Sequence, residues 1–89
     1  MKFSTKAIHI GSEPNFKEGG SGDVVVPIHL STTFAREDVT VPTAGYDYSR
    51  SGNPTRTAVE KNLAALENGK YAFAYSSVLA AITNVLLLF

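Results

Sequence analysis

The sequence contains no cysteine and has no excess of charge of either sign. The absence of cysteine excludes a disulfide framework, a zinc site built on thiolates and a cysteine nucleophile. Eight basic residues balance eight acidic ones, so the formal net charge is zero. A nucleic-acid-binding surface is normally basic, so we expect no nucleic-acid partner. With 44% hydrophobic residues, the composition is that of a globular protein and not of a disordered one.

Long apolar runs are also missing. The N-terminal segment MKFSTKAIHIGSEPNF is interrupted by polar residues, so it lacks the apolar core of a signal peptide. The most apolar run, 78-VLAAITNVLLLF-89, has twelve residues, whereas a helix that spans a membrane needs about 20. We therefore expect a cytoplasmic protein with no membrane partner and a buried helix within 78–89.

Turn-forming residues divide the chain near position 53. Before it lie a short element at about 3–10, a glycine-rich loop at 19–22 and the β-branched segment 24-VVVPIHLSTTFA-35. Pro27 removes a backbone donor from that segment, which favours an extended edge position. Residues 36–53 carry no helical period. We predict that residues 1–53 form an N-terminal arm and an extended interface segment.

Residues 54–89 predict a helix, a strand and a second helix. Asn53-Pro54 is a typical helix start, apolar residues follow at helical spacing, and Gly69 is a typical stop, which predicts a helix at 54–67. The run 71-YAFAY-75 alternates aromatics with alanines, as strands do. Ser76 or Ser77 can cap the helix that starts near Val78. The expected fold is therefore a helix-rich α/β unit.

Two groups of residues could bind an anion. Ser76 and Ser77 precede a helix whose N-terminus favours a phosphate, although simple capping is about three times as common at such a junction. Tyr48 and Arg50, with Tyr46, alternate along one side of a chain that we expect to be extended, and both a phenol and a guanidinium can donate to a phosphate. The alternative is a solvated arginine beside packed tyrosines.

The run 46-YDYSRSGNPTR-56 carries a resemblance to a known family. Together with TKAIHIG, 27-PIHLSTTF-34 and 75-YSSVLAAI-82, it resembles the start of the Cys/Met-metabolism enzymes that depend on pyridoxal phosphate. These include cystathionine γ-synthase, cystathionine γ-lyase, methionine γ-lyase and O-acetylhomoserine sulfhydrylase. The resemblance covers essentially the whole chain. It implies the N-terminal arm and the start of the large domain of fold type I, from 54 to 89, in a lyase or transferase.

The resemblance also implies roles for six residues. Tyr48 and Arg50 would reach across a dimer interface and bind the cofactor phosphate held by the neighbouring subunit. A turn would receive the phosphate on its backbone amides, and its residues here are Ser76, Ser77, Val78 and Leu79. Val78 stands where the family has glycine, so we expect its branched side chain to obstruct the phosphate.

The resemblance assigns no catalytic residue to this chain. The family's cofactor-bearing lysine and the groups that hold the ring and the substrate carboxylate would lie beyond position 89. We therefore expect a truncated N-terminal segment that is inactive by itself, and the sequence leaves open whether it binds pyridoxal phosphate alone. The alternative is a non-catalytic structural fragment that associates with itself. Because the apolar C-terminal helix exceeds what the rest of the chain can cover, we expect a homo-oligomer, a dimer or a tetramer.

Overall fold

The structure is a computed structural model that describes residues 1–17, 20–37, 39–40 and 45–89. Its regular elements are three helices, α1 (Phe3–His9), α2 (Pro54–Leu66) and α3 (Val78–Leu86). Within the described ranges no strand is formed, and one antiparallel bridge joins Thr33 to Tyr48. The helix-rich character that the sequence predicts is therefore present, and the division at residue 53 stays a prediction.

Helix α2 begins as the sequence predicts and ends through a different residue. The Asn53 side chain accepts a hydrogen bond from the Thr55 amide at 2.8 Å, and Pro54 takes the first helical position. At the other end Asn68, not Gly69, has a positive φ of 54°. The amides of Asn68 and Gly69 donate to the carbonyls of Ala65 and Ala64 at 3.3 and 2.8 Å. This is a Schellman motif, in which asparagine tolerates the left-handed conformation.

Helix α3 is capped by a serine, as predicted. The Ser77 hydroxyl accepts from the Ala80 amide at 3.1 Å. Ser77 itself is extended, with φ −153° and ψ 159°, which is the usual backbone of a capping residue.

The strand predicted at 71–75 is wrong. In the described part of the chain no neighbouring segment pairs with its backbone, and a strand exists only through such pairing. The Ala74 amide donates instead to the Glu60 carboxylate at 2.8 Å. The rings of Tyr71 and Phe73 still stack, with centroids 6.3 Å apart, so the alternation of aromatics does bring these two side chains together.

Helix α1 is attached to α2 by Asn62. The side-chain nitrogen of Asn62 lies 2.8–3.1 Å from the carbonyl oxygens of Lys6, Ala7 and Ile10, at the C-terminal end of α1. Gly11 follows with a φ of 85°, and a Cβ atom there would collide with the carbonyl oxygen of Ala58. The close approach of the two helices therefore depends on both residues.

The extended segment is attached to α2 by Thr55. Its hydroxyl donates to the Pro27 carbonyl and accepts from the His29 amide, both at 2.9 Å. We call this pair of hydrogen bonds the Thr55 latch. It fixes residues 27–29 beside the first turn of α2.

The chain by itself encloses no apolar core. Among the residues that the structure describes, no hydrophobic side chain is buried, and Asn53 is the one buried polar residue, 8% exposed. The expectation of a buried helix within 78–89 is not met inside one chain, because α3 packs against neither α1 nor α2. The large apolar side chains of α3 and of the three residues after it are 50–99% exposed. They are Val78, Leu79, Ile82, Val85, Leu86, Leu87, Leu88 and Phe89.

None of the three helices is long and apolar enough to cross a bilayer.

Candidate functional site

The backbone turns sharply directly after Tyr48. The amides of Ser51 and Gly52 both donate to the Tyr48 carbonyl at 2.9 Å. The prediction that residues 46–50 continue as an extended chain is therefore wrong beyond Tyr48. The physical reason is that the backbone must reverse to enter α2 at Asn53. We call residues 48–52 the clamp turn and the side chains of Tyr48 and Arg50 the clamp, after the phosphate-binding role that the resemblance implies for them.

The clamp turn brings the side chains of Tyr48 and Arg50 together. The Arg50 Nη2 donates to the Tyr48 Oη at 2.6 Å, and the Arg50 Cζ lies 4.9 Å from the centre of the Tyr48 ring. Since the phenol oxygen accepts this bond, its own proton is free to be donated to another acceptor. Arg50 is exposed and has further N–H groups to donate. The result is a phenol and a cation side by side.

Tyr46 does not join this pair. Its hydroxyl donates to the Thr57 hydroxyl at 3.1 Å, and its ring lies 5.6 Å from that of Phe34. Tyr46 is therefore a packed tyrosine that attaches the chain before the clamp turn to α2.

The second group of predicted site residues lies at the start of α3. The Ser77 hydroxyl accepts the hydrogen bond that caps α3, and Ser76 is the residue before it. The first amides of a helix have no partner inside the helix, so Val78 and Leu79 offer backbone donors at this end. Their side chains are 76% and 74% exposed. Ser77 therefore serves as the cap, and the amides of Val78 and Leu79 have no acceptor inside the helix.

One depression of about 380 Å³ is lined by one residue of each group, and Tyr48, Ser77, Val78 and Leu79 do not line it. Its lining includes Arg50 from the clamp turn and Ser76 from the entry to α3, with Arg56, Glu60 and Phe73 between them. None of the five lysines of the chain lines it. The structure thus brings Arg50 and Ser76 of the same chain to one depression, which contains two guanidinium groups and one carboxylate.

Arg56 and Glu60 lie four positions apart on α2 but do not form an ion pair with each other. Arg56 donates instead to the carbonyls of Ser49 and Arg50, at 3.1 and 3.5 Å. Glu60 accepts the Ala74 amide. The role of Arg56 was missed because side-chain donation to carbonyls six and seven positions away has no signature in sequence spacing.

The histidines stand apart from this site. The His29 Nδ1 lies 3.4 Å from the Thr55 hydroxyl at the latch, and His9 is in the last turn of α1. In the described ranges no three His, Asp or Glu side chains are grouped as a metal site would require.

The signature run 46-YDYSRSGNPTR-56 contains both the clamp turn and the cap of α2, and the family profile that matches the chain is that of a class of pyridoxal-phosphate-dependent enzymes. The chain belongs to the Cys/Met metabolism PLP-dependent enzyme family, whose profile matches residues 4–89. The family predicted from the sequence is therefore confirmed.

The relatives are enzymes of cystathionine metabolism. The chain is 47% identical over 83 residues to cystathionine gamma-lyase of Mus musculus, covering 93% of this chain and 20% of that protein. It is 46% identical over 86 residues to a probable cystathionine gamma-synthase of Herpetosiphon aurantiacus, covering 97% of this chain and 26% of that protein. The chain thus spans about one fifth to one quarter of the length of these relatives.

Solved structures agree with the sequence comparison. The crystal structure of metB from Corynebacterium glutamicum matches with a TM-score of 0.88 and 42% identity, over 99% of this chain and 22% of that one. Cystathionine gamma-lyase from Lactobacillus plantarum, complexed with L-serine, matches with a TM-score of 0.85 and 43% identity, over 100% of this chain and 22% of that one. The described part of the chain, with its three helices, therefore resembles the N-terminal part of this fold.

Proposed function

We propose that this chain is the phosphate-binding N-terminal segment of a pyridoxal-phosphate-dependent enzyme of sulfur amino-acid metabolism, of the γ-lyase or γ-synthase type. The observation that carries the proposal is the pairing of Tyr48 Oη with the Arg50 guanidinium at 2.6 Å on the exposed clamp turn. Charge-assisted donors of this kind are the strong ligands of phosphate. The comparisons support the class of enzyme, and the chemistry of the pair supports the role.

The residues present fit the phosphate of the cofactor, although the branched side chain of Val78 should weaken binding at the α3 amides. Arg50 would supply a fixed positive charge and several N–H donors, and Tyr48 would donate its phenolic proton to a second phosphate oxygen. Ser76, Ser77, Val78 and Leu79 would provide backbone amides at the positive end of the α3 dipole. When bound, pyridoxal phosphate supplies an electron sink for bond cleavage beside the substrate amino group. The residues of this chain would bind and orient it.

We propose that the clamp and the amides that share one phosphate come from two chains. Support comes from the family pattern and from the apolar surface of α3, where Leu86, Leu87 and Phe89 are 65%, 77% and 99% exposed. Each buried Å² of such surface contributes roughly 25 cal/mol, so association between copies would stabilise α3 by several kcal/mol once a few hundred Å² are covered. A homodimer, or a tetramer built from dimers, would bring the clamp of one copy to the α3 amides of the other.

Mixed variants test this arrangement. Arg50→Ala removes the clamp charge. Val78→Pro removes one amide of the phosphate turn while keeping α3, because proline suits the first helical position and Ser77 before it is already extended. We expect each variant alone to bind inorganic phosphate and pyridoxal phosphate weakly by calorimetry.

A mixture of the two variants distinguishes the sources of the ligands. Copies of the two kinds would combine an intact clamp from one chain with intact amides from the other, so binding should recover in the mixture. If the mixture binds no more than its separate components, the two groups do not act across chains. If Arg50→Ala leaves phosphate affinity unchanged, the clamp itself is refuted.

A further inference from the structure

Ser49, between the two clamp residues, has a partner for every polar atom. Its amide donates to the Thr32 carbonyl at 2.7 Å, and its carbonyl accepts from Arg56 Nη1 at 3.1 Å. Its hydroxyl accepts from Asn53 Nδ2 at 2.8 Å. Ser49 is therefore held from three directions, although the side chain of Arg50 beside it is exposed.

We infer that Arg56 and Asn53 are positioning residues that hold the clamp turn against α2, so that Tyr48 and Arg50 meet a phosphate without first being ordered. The inference rests on the proposed function for its ligand, and on the contacts of Ser49 for its geometry. Neither residue needs to touch the phosphate. Their effect on anion binding would pass through the backbone of residues 49 and 50.

An arginine suits this task at position 56 for a geometric reason. Two successive carbonyls, those of Ser49 and Arg50, lie 3.1 and 3.5 Å from its two terminal nitrogens. A planar guanidinium presents two donors at a fixed spacing, whereas the ammonium of lysine is a single point of charge. Lysine at 56 would keep the charge and lose the bridge between the two carbonyls.

Asn53 provides the second tether and is the one buried polar side chain of the described residues, 8% exposed. Its Oδ1 accepts the Thr55 amide as the cap of α2, while its Nδ2 donates to Ser49 Oγ and to the His29 carbonyl, at 2.8 and 3.2 Å. The two functions can be separated. Asn53→Asp keeps a capping oxygen, since Asp and Asn cap about equally well, and removes the two donated bonds. Because it also adds a negative charge, its effect is read from the backbone of the clamp turn and not from phosphate affinity.

A direct role for Arg56 in binding the anion is the competing explanation, because Arg56 and Arg50 line the same depression. The two explanations differ in what Arg56→Lys does to the backbone of the clamp turn. Loss of a direct ligand would weaken phosphate binding and leave the backbone of the turn held. Loss of a positioning residue would weaken phosphate binding and also loosen the turn.

The experiment measures binding of inorganic phosphate and of pyridoxal phosphate to the chain and its variants by calorimetry. We expect Arg56→Lys to weaken binding by about tenfold, the effect of losing hydrogen bonds that preorganise a site. Lys61→Ala, which removes an exposed charge from the same helix, should change affinity less than twofold. In an Arg50→Ala background, Arg56→Lys should have little further effect, since residues that act through one another are not additive.

A second readout needs no ligand. The amides of Ser51 and Gly52 donate to the Tyr48 carbonyl inside the clamp turn, so their hydrogen exchange, measured by NMR, reports whether the turn is held. Arg56→Lys should accelerate their exchange by about tenfold, with α2 intact by circular dichroism. This readout separates the inference from the proposed function. It shows whether Arg56 holds the clamp turn, even if Arg50→Ala leaves phosphate binding unchanged.

Three results would overturn the inference. Unchanged exchange in Arg56→Lys and in Asn53→Asp would show that neither residue holds the turn. Weaker phosphate binding by Arg56→Lys, with unchanged exchange of the Ser51 and Gly52 amides, would show that Arg56 is a direct ligand. Arg56→Lys could also show faster amide exchange but full phosphate affinity. If Arg50→Ala does weaken phosphate binding, that result would show that holding the turn does not affect binding of the anion.

Discussion

The Thr55 latch provides a sharp prediction about how the extended segment is attached. Thr55→Val replaces the hydroxyl by a methyl group of similar size, so the shape of the side chain is kept. It removes the bond to the Pro27 carbonyl and the bond from the His29 amide. The His29 amide would lose its acceptor, while the cap of α2 by Asn53 would stay in place.

The size of the effect follows from the two lost bonds. A hydrogen bond of this kind contributes about 0.5–1.5 kcal/mol net, and the half-buried position of Thr55 favours the lower part of that range. The free energy that keeps residues 27–29 against α2 should therefore fall by about 1–2 kcal/mol. Because 1.4 kcal/mol corresponds to a factor of ten, exchange of the His29 amide should accelerate by roughly 5- to 30-fold.

Amide exchange by NMR measures this directly, and two variants serve as controls. Thr55→Ser keeps the hydroxyl and should leave the protection of His29 close to that of the unmodified chain. Thr57→Val removes a threonine hydroxyl from the same turn of α2, where it accepts from Tyr46, and should not affect His29. Equal exchange of His29 in Thr55→Val and in the unmodified chain would refute the latch.

Three further predictions concern the anion site and the apolar surface. Val78→Gly should raise affinity for phosphate by opening the α3 amides, and lower helix stability by up to about 1 kcal/mol; equal or weaker binding by calorimetry would contradict the obstruction. Light scattering should report a multiple of 9.5 kDa, and Leu86→Lys, which puts a charge on a 65% exposed apolar side chain of α3, should dissociate or unfold the assembly; a folded 9.5 kDa particle that tolerates the change would refute self-association. Borohydride treatment with pyridoxal phosphate should fix no cofactor at a single lysine of this chain, since no lysine lines the depression; one dominant modified lysine with turnover of cystathionine would overturn this.

Helices α2 and α3 were predictable because their signals are local. Asn53-Pro54 and Ser77 lie next to the turns they cap, and both caps are confirmed. The strand predicted at 71–75 is wrong because the alternation of side chains shows which residues share a face. It does not show whether a partner strand lies beside them. The family could be recognised because the run 46-YDYSRSGNPTR-56 occurs together with three further runs that resemble the same family.

The contacts that shape the candidate site could not be predicted in the same way. The pairing of Tyr48 with Arg50 was expected on an extended chain, and a turn achieves it instead. The bonds of Asn53 and Arg56 to Ser49 join side chains to groups four and seven positions away. Such bonds depend on how the backbone turns, and a linear pattern of residue types does not encode that path.

The Thr55 latch also sets an order of events during synthesis of the chain. The carbonyl of Pro27 and the amide of His29 are made 28 and 26 residues before the hydroxyl that binds them. At a synthesis rate of about 5–20 residues per second, roughly 1–6 s pass between the synthesis of residues 27–29 and that of Thr55. The apolar side chains in and beside residues 27–29, Val24, Val25, Ile28 and Leu30, stay 77–86% exposed even after folding. Residues 27–29 therefore cannot be attached to α2 before Thr55 has been synthesised, and their attachment then depends on hydrogen bonds and not on burial of these apolar side chains.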